Sequence, residues 1–565
     1  MKVSDAIAQF LAQQGIGHVF TVSGGADLHI IDSIARTEGI RYVCTTNEQA
    51  ASFAADAYCR LNSLGVALAT SGPGATNLLT GVATSFYDSV PVLYLTGNQT
   101  RARMDGMGTR QYGFQATPIA QIAQPIVKVA YTVNEPRAIL YTLAQALRIA
   151  RQGRPGPVLV DIPDDVQRAD CDDFIPYPHD INQGEFIPAH GDVSATVKRI
   201  VCAKRPLFVF GAGMRAAAKE AAEMIAAAGI PCVTTWGAAD ALGTSPWWIG
   251  SFGTHGVRAA NFAVQTADLL ICIGTRLDTK ATGSPASSFA AGAQIVMVDT
   301  DPAELDKMEK IGRKVIPICC GARLFIIYLA AALANQRGYA DALAGSDDTT
   351  HSPAWWERIQ GWRARYDPVL PSYGPGNPYA VLRALSAHLR PDDVIVSDTG
   401  CALAWAHQAL AWGGQRFVHA HNQTPMGYGL PAAIGAAFAT GRRVVLLTGD
   451  GGLQVSVGEL ATVAKHRLPI KILLFDNKGH AMCRQTQRQW LEGRYCATGA
   501  EDLPLADLEW VAGAFGLSTP WTLDLLMAGE RPALLKLNVD PEQGVEPQIK
   551  FGEPLANLEE INEQA

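Results

Sequence analysis

Two polar clusters in the last third of the chain have the residue types and the spacing of a divalent-cation site. Asp450 follows the apolar run Val444–Leu447 in a GDGG turn, and Asn477 comes 27 residues later, after the apolar run Ile470–Phe475. A carboxylate, an amide oxygen and a backbone carbonyl such as that of Gly479 make an oxygen-only ligand set, which suits Mg²⁺ or Ca²⁺ and not Zn²⁺. These ligands are too few for full coordination, so water and a phosphorylated ligand are expected to complete it.

The two apolar runs and the residues between them predict a strand–helix–strand unit that brings both clusters to one edge of a sheet. Leu460, Val463 and Ala464 recur at the i, i+3, i+4 spacing of an amphipathic helix. Parallel strands have their carboxyl ends at the same edge, where α/β folds bind ligands. Glycines in the first turn would let backbone N–H groups approach phosphates. They are Gly449, Gly451 and Gly452.

A second candidate site lies near the start of the chain. Glu48 stands between a short apolar run, Tyr42–Thr45, and an alanine-rich helical stretch. A glutamate at the start of a helix usually complements the helix dipole and does nothing more. On its own, therefore, Glu48 carries only a weak indication of function.

Taken together, the two clusters resemble the cofactor motifs of thiamine diphosphate enzymes. The GDG turn and Asn477 match the family's GDG…NN motif, with Asp476 where the first Asn usually stands. The segment NEQAASFAADAYCR, which contains Glu48, is similar to the family's HEQ-AAHAADGYAR, with Asn47 in place of His, and SGPGATN resembles a loop beside the pyrimidine. The resemblance implies that Glu48 bonds the aminopyrimidine and promotes the tautomer that deprotonates thiazolium C2, which requires a carboxylate in a dry pocket.

The resemblance implies further contacts with thiamine diphosphate and Mg²⁺. The segment Asp398–Gly400 looks like the family's diphosphate loop, although Cys401 and Ala402 replace its Gln and His. Met426 aligns with the bulky residue that holds the cofactor bent, and a core methionine is the alternative. The implied cofactor contacts outside the GDGG turn are Gly24, Gly25, Asn77, Gly400, Thr424, Met426, Asn477, Gly479, His480 and Met482. The implied metal ligands are Asp450, Asn477 and Gly479.

Other segments place the chain closest to the acetolactate-synthase-like branch of that family. Phe114 and Gln115, in RQYGFQATP, resemble residues that flank the pyruvate-derived adduct, which makes them candidate catalytic residues beside Glu48. In the middle block, GTHG and GTRLD look like segments that contact FAD in this branch. The implied contacts are Gly211, Gly213, His255, Arg276 and Asp299. FAD would be non-redox, because ligation involves no net electron transfer, and an ADP-binding or empty domain is the alternative.

The implied reaction is carboligation: a 2-oxo acid, expected to be pyruvate, loses CO₂, and the remaining unit is transferred to a second carbonyl compound. Thr486 stands where acetolactate synthases carry a Trp that shapes the acceptor pocket, and RQTQ resembles enzymes that act on keto-sugars. A larger, more polar pocket predicts a ketone or aldehyde acceptor larger than pyruvate. The alternatives are an acetolactate synthase that condenses two pyruvates, a 2-oxo acid decarboxylase or C–C hydrolase, and a catalytically silent binding subunit.

Short apolar strands alternate with helices along most of the chain, which predicts an α/β fold. The resemblance implies three doubly wound parallel-sheet domains: a pyrimidine-binding domain at 1–167, a central domain of FAD- or nucleotide-binding type at 188–335, and a diphosphate- and Mg²⁺-binding domain at 372–548. A polar tail, 549–565, follows. The resemblance also implies a homodimer or homotetramer with active sites at the dimer interface, since Glu48 and Asp450 come from different chains in this family.

Composition limits the partners and the compartment. The 565 residues carry a formal net charge of −7 without a basic stripe, so nucleic acids and acidic membranes are not expected partners. No apolar run is long enough for a transmembrane helix, and the first residues do not resemble a signal peptide. The eleven cysteines contain no CxxC pair, and a cytoplasmic protein is predicted.

Overall fold

Three parallel sheets form the framework of the chain. The computed structural model describes residues 1–104, 109–177, 186–335, 353–550 and 552–555. Within these residues the strands form sheets of six, six and five, and neighbouring strands of each sheet run parallel. Strands β3 (Gly65–Ala69) and β16 (Ile470–Asp476) are buried throughout, as expected for parallel strands covered on both faces. The predicted fold class is confirmed.

The first sheet has the strand order β2-β1-β3-β4-β6-β5. Alternate residues of β1 belong to different cores, Val19 to one and Phe20 to the other, so helices cover both faces. Its strands are β1 His18–Val22, β2 Arg41–Cys44, β3 Gly65–Ala69, β4 Val92–Asn98, β5 Val129–Thr132 and β6 Val158–Pro163. Its helices are α1 Val3–Gln13, α2 Leu28–Arg36, α3 Glu48–Asn62, α4 Pro73–Asn77, α5 Leu79–Tyr87, α6 Arg101–Met104, α7 Ile119–Ala123, α8 Ile139–Arg151 and α9 Asp164–Gln167.

The central sheet has the order β12-β11-β10-β7-β8-β9. Leu207 and Phe208 of β7 face opposite cores, so this sheet is also covered on both sides. Its strands are β7 Pro206–Phe210, β8 Cys232–Thr234, β9 Trp248–Ser251, β10 Leu269–Ile273, β11 Gln294–Asp299 and β12 Ile316–Cys319. Its helices are α10 His190–Cys202, α11 Ala218–Ala228, α12 Ala239–Leu242, α13 Arg258–Thr266, α14 Thr279–Thr282, α15 Pro302–Lys310 and α16 Ala322–Asn335.

The third sheet has the order β14-β13-β15-β16-β17. Val445 and Leu446 of β15 again face different cores. Its strands are β13 Val394–Ser397, β14 Arg416–Val418, β15 Val444–Gly449, β16 Ile470–Asp476 and β17 Ala533–Asn538. The helices from the second linker onward are α17 Pro353–Arg365, α18 Pro378–Ser386, α19 Cys401–Ala409, α20 Gly429–Thr440, α21 Asp450–Val455, α22 Leu460–His466, α23 Ala481–Trp490, α24 Leu508–Ala514 and α25 Leu523–Met527.

The first and third domains share one hydrophobic core, in which α3 packs directly against α20. Small residues allow this close approach: a Cβ on Gly435 would lie 2.0 Å from the backbone oxygen of Ala54. The glycine-rich loops of the first and third domains are therefore held by helices that pack tightly against each other.

The strand order reverses beside the first strand of each sheet, and one predicted site residue of each domain follows a strand at that point, namely Gly24, Arg276 and Asp450. Glu48 and Asn477 follow strands one place further out, β2 and β16. The reversals lie between β1 and β3, between β7 and β10, and between β13 and β15. Ligands of open α/β sheets bind in the crevice at such positions, because loops leave the sheet there in opposite directions.

Some described residues lie outside the predicted pattern. Helix α17 lies within the segment 336–370, which the sequence suggested was a polar linker. The predicted tail is partly packed, because Ile549 and Leu555 belong to a core of the central domain. The domain limits themselves stay predictions. Within the described parts of the chain, none of the helices has the length and apolar character that crossing a bilayer requires.

Candidate active site

Glu48 begins α3, and its carboxylate is in contact with a second predicted residue. Asn77 Nδ2 donates a hydrogen bond to Glu48 Oε2 over 2.9 Å, although 29 residues separate the two. The start of the helix is fixed by Asn47, whose side chain accepts from the N–H of Gln49 over 2.8 Å. A Cβ at Gly74 would lie 3.2 Å from Glu48 Oε1, so the absence of a side chain at Gly74 lets its loop pack close to the carboxylate.

The two candidate catalytic residues after Glu48 lie next to the SGPG loop. Gln115 has a left-handed φ of 60°, and a Cβ at Gly72 would lie 3.0 Å from the Gln115 Cβ. A non-glycine residue held in this conformation stores strain, which is typical of functional loops. The neighbouring Phe114 side chain is 79% exposed in the single chain.

The loop after β1 contains the predicted Gly24 and Gly25 and one carboxyl that the sequence did not reveal. A Cβ at Gly24 would lie 2.4 Å from Thr70, whereas Gly25 faces open space. Gly24 N–H donates to Asp27 Oδ1 over 2.9 Å, and the buried Asp27 Oδ2 has no partner among the described residues. Burial raises the pKa of Asp27 to about 7, and the nearby Glu48 adds to the effect.

The predicted metal ligands converge at the ends of the neighbouring strands β15 and β16. The N–H of Gly479 donates to Asp450 Oδ2 over 3.0 Å and to Asn477 Oδ1 over 3.1 Å, so both oxygens lie around one point. Asp450 and Asn477 are buried. Burial, and after it the charge of Asp476, raises the pKa of Asp450 to about 6. Asp476 itself pairs with Lys478 Nζ over 2.6 Å.

This donor set fits Mg²⁺. It offers one carboxylate and one amide oxygen on adjacent strand ends, and both oxygens can reach a single cation. Among the described residues, no group of three or more His, Cys, Asp and Glu side chains could hold a metal ion. A site here must therefore rely on Asn477 and backbone carbonyls, as the sequence predicted for Gly479.

Several predicted cofactor contacts gather around the start of α21. A Cβ at Gly451 would lie 2.9 Å from His480 Nε2 and 3.1 Å from Met426 Cε, so these three residues meet at one point. A Cβ at Gly400 would meet nothing within 4 Å, and one at Gly449 would lie 3.9 Å from the backbone oxygen of Phe475. Thr424 adopts a left-handed φ of 45°, and Met482 is half-buried on α23. Of the predicted contacts, Gly451, His480 and Met426 are therefore brought together, and the others stay predictions.

Gly452 and Asp398 also have a structural role. A Cβ at Gly452 would lie 2.9 Å from Asp398 Cγ, so the glycine lets α21 pack on that carboxyl group. Asp398 accepts hydrogen bonds from the backbone N–H groups of Thr399, Gly427 and Gly429. Burial raises the pKa of Asp398 to about 6. The carboxyl group thus shapes the loops that carry Gly400 and Met426.

A separate cavity of about 510 Å³ lies where the three domains meet. All five predicted central-domain residues line it, namely Gly211, Gly213, His255, Arg276 and Asp299. Arg276 donates to Asn422 Oδ1 over 2.6 Å and pairs with Asp278. Burial lowers the pKa of His255 to about 4, so this imidazole is neutral at physiological pH.

Gly211 and Gly213 form the wall of this cavity through packing. A Cβ at Gly211 would lie 2.2 Å from the backbone oxygen of Gly274. The N–H of Gly211 donates to the backbone oxygen of Ile273, and the N–H of Gly213 donates to that of Gly274. The two turns therefore interlock, and these N–H groups are already used inside the protein.

The cavity also contains residues that the sequence did not reveal. Lys280 Nζ lies 3.7 Å from the centre of the Trp236 ring, and Trp236 stacks on His407 with 4.7 Å between ring centres. Burial lowers the pKa of Lys280 to about 8. Lys280 belongs to GTRLDTKATG, so its position beside GTRLD was a usable signal; nothing in the sequence singled out Trp236.

The chain matches three models of one family in the order of its three sheets. Residues 1–123 match the thiamine pyrophosphate enzyme N-terminal TPP binding domain, residues 193–329 the central domain, and residues 398–524 the C-terminal TPP binding domain. The chain belongs to the thiamine pyrophosphate enzymes and is itself such an enzyme.

Within that family the chain is of the acetolactate synthase type. It is 33% identical to the acetolactate synthase isozyme 2 large subunit of Escherichia coli over 98% of both chains. It is 36% identical to the acetolactate synthase large subunit of Parasynechococcus marenigrum, over 87% of this chain and 79% of that one. The large subunit of Corynebacterium glutamicum is also 36% identical, over 88% of this chain and 78% of its own length.

Proposed function

We propose that this enzyme decarboxylates a 2-oxo acid, pyruvate in the first place, and joins the remaining two-carbon unit to a second carbonyl compound. The observation that carries the proposal is that both halves of the thiamine site are intact. In the first half-site Asn77 donates a hydrogen bond to Glu48, and in the second Asp450 and Asn477 accept from the same N–H group. When bound, thiamine diphosphate supplies the nucleophile and the electron sink for the decarboxylation.

The chain's own residues divide the work between binding and proton transfer. Asp450, Asn477 and the carbonyl of Gly479 would hold Mg²⁺, and the backbone N–H groups of the GDGG turn would be available to the diphosphate. Glu48 would exchange a proton with a ring nitrogen of the cofactor, and Asn77, which donates a hydrogen bond to its carboxylate, would orient it.

Other residues shape the space around the reacting groups. Met426 and His480 both lie next to Gly451 and would confine a cofactor bound there. Phe114 and Gln115 flank the substrate, and the residues of α23 keep water away from it.

For the acceptor, the relatives favour a second molecule of a 2-oxo acid, as in acetolactate synthases, over the larger acceptor that the sequence suggested. One observation keeps the larger acceptor as a second candidate. Thr486 is exposed on α23, and its hydroxyl donates to the backbone oxygen of Met482 over 3.1 Å, so a small side chain stands where acetolactate synthases carry a Trp.

We also propose that FAD occupies the central cavity without a redox role. The cavity has an aromatic end at Trp236 and cationic side chains, Lys280 and Arg276, that suit a dinucleotide. Mass spectrometry of the small molecule released from purified protein distinguishes FAD, ADP and an empty cavity.

The thiamine site is proposed to be completed by a second copy of the chain. In a single chain Phe114 is 79% exposed, Val455 56% and Met426 37%, although all three lie beside the two half-sites. Exposed apolar side chains around a site that needs low water content are explained if another protomer covers them. A homodimer is the minimum. The cytoplasm remains our prediction for the compartment, supported by eleven unpaired cysteines.

Product analysis tests the proposal. The protein is incubated with pyruvate, thiamine diphosphate and Mg²⁺, with and without ketone and keto-sugar acceptors. Acetolactate from pyruvate alone supports the synthase, whereas slow self-condensation and rapid ligation to an added ketone support the larger acceptor. Acetaldehyde and CO₂ alone indicate a decarboxylase. No cofactor-dependent loss of pyruvate, or full activity of Glu48→Gln, would contradict the proposal.

A further inference from the structure

A buried carboxylate in the third domain is bonded to the strand end that carries Glu48. Glu459 Oε1 accepts hydrogen bonds from the backbone N–H of Thr46 over 2.7 Å and from the Thr46 hydroxyl over 2.6 Å. Its other oxygen accepts from the Thr462 hydroxyl over 2.8 Å. Glu459 is 1% exposed, and 413 residues separate it from Thr46.

The contact depends on a local feature of the chain. Residues Val457–Glu459 form a short 3-10 turn, and a Cβ at Gly458 would lie 2.9 Å from the Thr46 hydroxyl oxygen. Glycine at this position lets the turn approach Thr46. Within the described residues, Glu459 forms no ion pair, and its two oxygens accept hydrogen bonds from three donors.

Thr46 is two residues before Glu48, where the chain leaves β2 and enters α3. Thr45 is tied to the first sheet through its N–H to Thr21, and Asn47 caps α3. The two bonds to Glu459 hold Thr46 between these anchors. They therefore also hold the direction in which the chain enters α3, the helix that begins with Glu48.

We propose that Glu459 is a positioning residue for Glu48. It acts through Thr46 and touches neither cofactor nor substrate. The inference rests on the proposed function, because Glu48 must work on thiamine diphosphate for its position to affect the rate.

The same segment connects the metal site to this strand end. Helix α21 starts with Asp450, and the turn that ends with Glu459 follows it directly. If the site is shared between two copies, α21 holds the cofactor of one site while Glu459 positions the glutamate of the other. Glu459 then joins the two active sites of a dimer.

Two matched threonine variants test the proposal. Thr46→Val and Thr462→Val each remove one hydroxyl bond to the same carboxylate, but only Thr46 lies next to Glu48. We expect Thr46→Val to slow deuterium exchange at thiazolium C2 of the bound cofactor about tenfold, because small misplacements of a catalytic group are costly. Its affinity for thiamine diphosphate and its melting temperature should stay close to those of Thr462→Val. Thr46→Ser should restore the exchange rate.

A cofactor-free measurement provides the second readout. Amide hydrogen exchange of a peptide covering residues 42–53 should be faster in Glu459→Gln and Thr46→Val than in the wild type, and unchanged in Thr462→Val. Equal C2 exchange in the two threonine variants would overturn the inference. If wild-type protein shows no C2 exchange, or Glu48→Gln keeps it, the proposed function fails instead.

Discussion

The two candidate sites differ in how much of each a single chain supplies. The central cavity is lined by all three domains of one chain, and its charged groups are largely paired, as in Arg276 with Asp278. The thiamine site consists of two half-sites with exposed apolar neighbours, Phe114 and Val455 among them. In one chain, α21 and the turn after it lie between Asp450 and Glu459, the residue that contacts Thr46.

The two sites are therefore expected to differ in how far each depends on the assembly of a dimer. A ligand in the central cavity can be held by the folded chain alone, because that cavity needs only domain packing within one chain. Under the proposed mechanism Glu48 and Asp450 act at one cofactor, and among the described residues no hydrogen bond joins the two side chains. Binding at the first site and activity at the second are therefore expected to respond separately to mutation.

Subunit complementation gives the largest expected effect. Glu48→Ala and Asp450→Ala should each lose activity by more than about a hundredfold, since they remove the proton-transferring group or a metal ligand. Co-expression should restore activity, because random pairing makes about half of the dimers hybrids, each with one intact site. Pyruvate consumption by the separately tagged, co-purified hybrid is the measurement.

Flavin content is the control for complementation, and both variants should keep that of the wild type. Hybrids as inactive as their parents would contradict the shared site, because each chain would then contain its own complete thiamine site.

The pH dependence of stability tests Asp27, in the Glu48 half-site. Its pKa is raised from 3.8 to about 7 in the folded state, so the folded protein binds the proton more tightly than the unfolded chain. Wild-type stability is therefore expected to fall as the pH rises from about 4 to about 7. Asp27→Asn removes this penalty and should be more stable by at most about 4 kcal/mol above pH 7, with little gain near pH 4.

Thermal unfolding of Asp27→Asn at a series of pH values is the measurement. The matched control is Asp32→Asn on the same helix, an exposed carboxylate whose pKa is lowered by Arg36. It should not gain stability at high pH. A gain of Asp27→Asn that does not change with pH would contradict a buried, protonated Asp27.

A substitution of Lys280 tests ligand binding in the central cavity, the other of the two sites compared. Its ammonium group lies over Trp236 in the cavity and forms no ion pair with a described carboxylate. Lys280→Met should weaken flavin binding about tenfold, because a charge-assisted contact is lost. Fluorescence titration of the flavin-free protein measures it, and Lys219→Met, at a side chain that is 84% exposed, is the control. Unchanged flavin affinity would show that the ligand does not reach Lys280.

Sequence reasoning found the parts of both sites that depend on local pattern. Asp450 and Asn477 could be brought together because they end neighbouring parallel strands, and motif likeness joined Glu48 to Asn77. Glu459 carried no such signal, since its partner Thr46 is 413 residues away and the contact depends on how two domains pack.

Burial escaped sequence reasoning for the same reason. Asp27 stands in an ordinary glycine-rich loop in the sequence, and only the folded chain shows that its carboxyl group is enclosed and half unpartnered. Trp236 is likewise a common apolar residue until the cavity places Lys280 on its ring. These features arise from tertiary packing, which short-range periodicity does not encode.

The smallest effect is expected at the acceptor side. Thr486→Trp fills an exposed face of α23 with a large ring, and the helix should tolerate it because Thr486 makes only a bond to its own helix. If the acceptor is a larger ketone, the rate ratio between that ketone and pyruvate should fall about fivefold, since lost pocket volume excludes the larger molecule. If the acceptor is pyruvate, the added ring should leave acetolactate formation nearly unchanged.

Competition of the two acceptors in one reaction measures the ratio directly, so differences in enzyme concentration cancel. A ratio unaffected by the substitution, with both products still formed, would place the acceptor away from Thr486 and leave its specificity to the loop that carries Phe114 and Gln115.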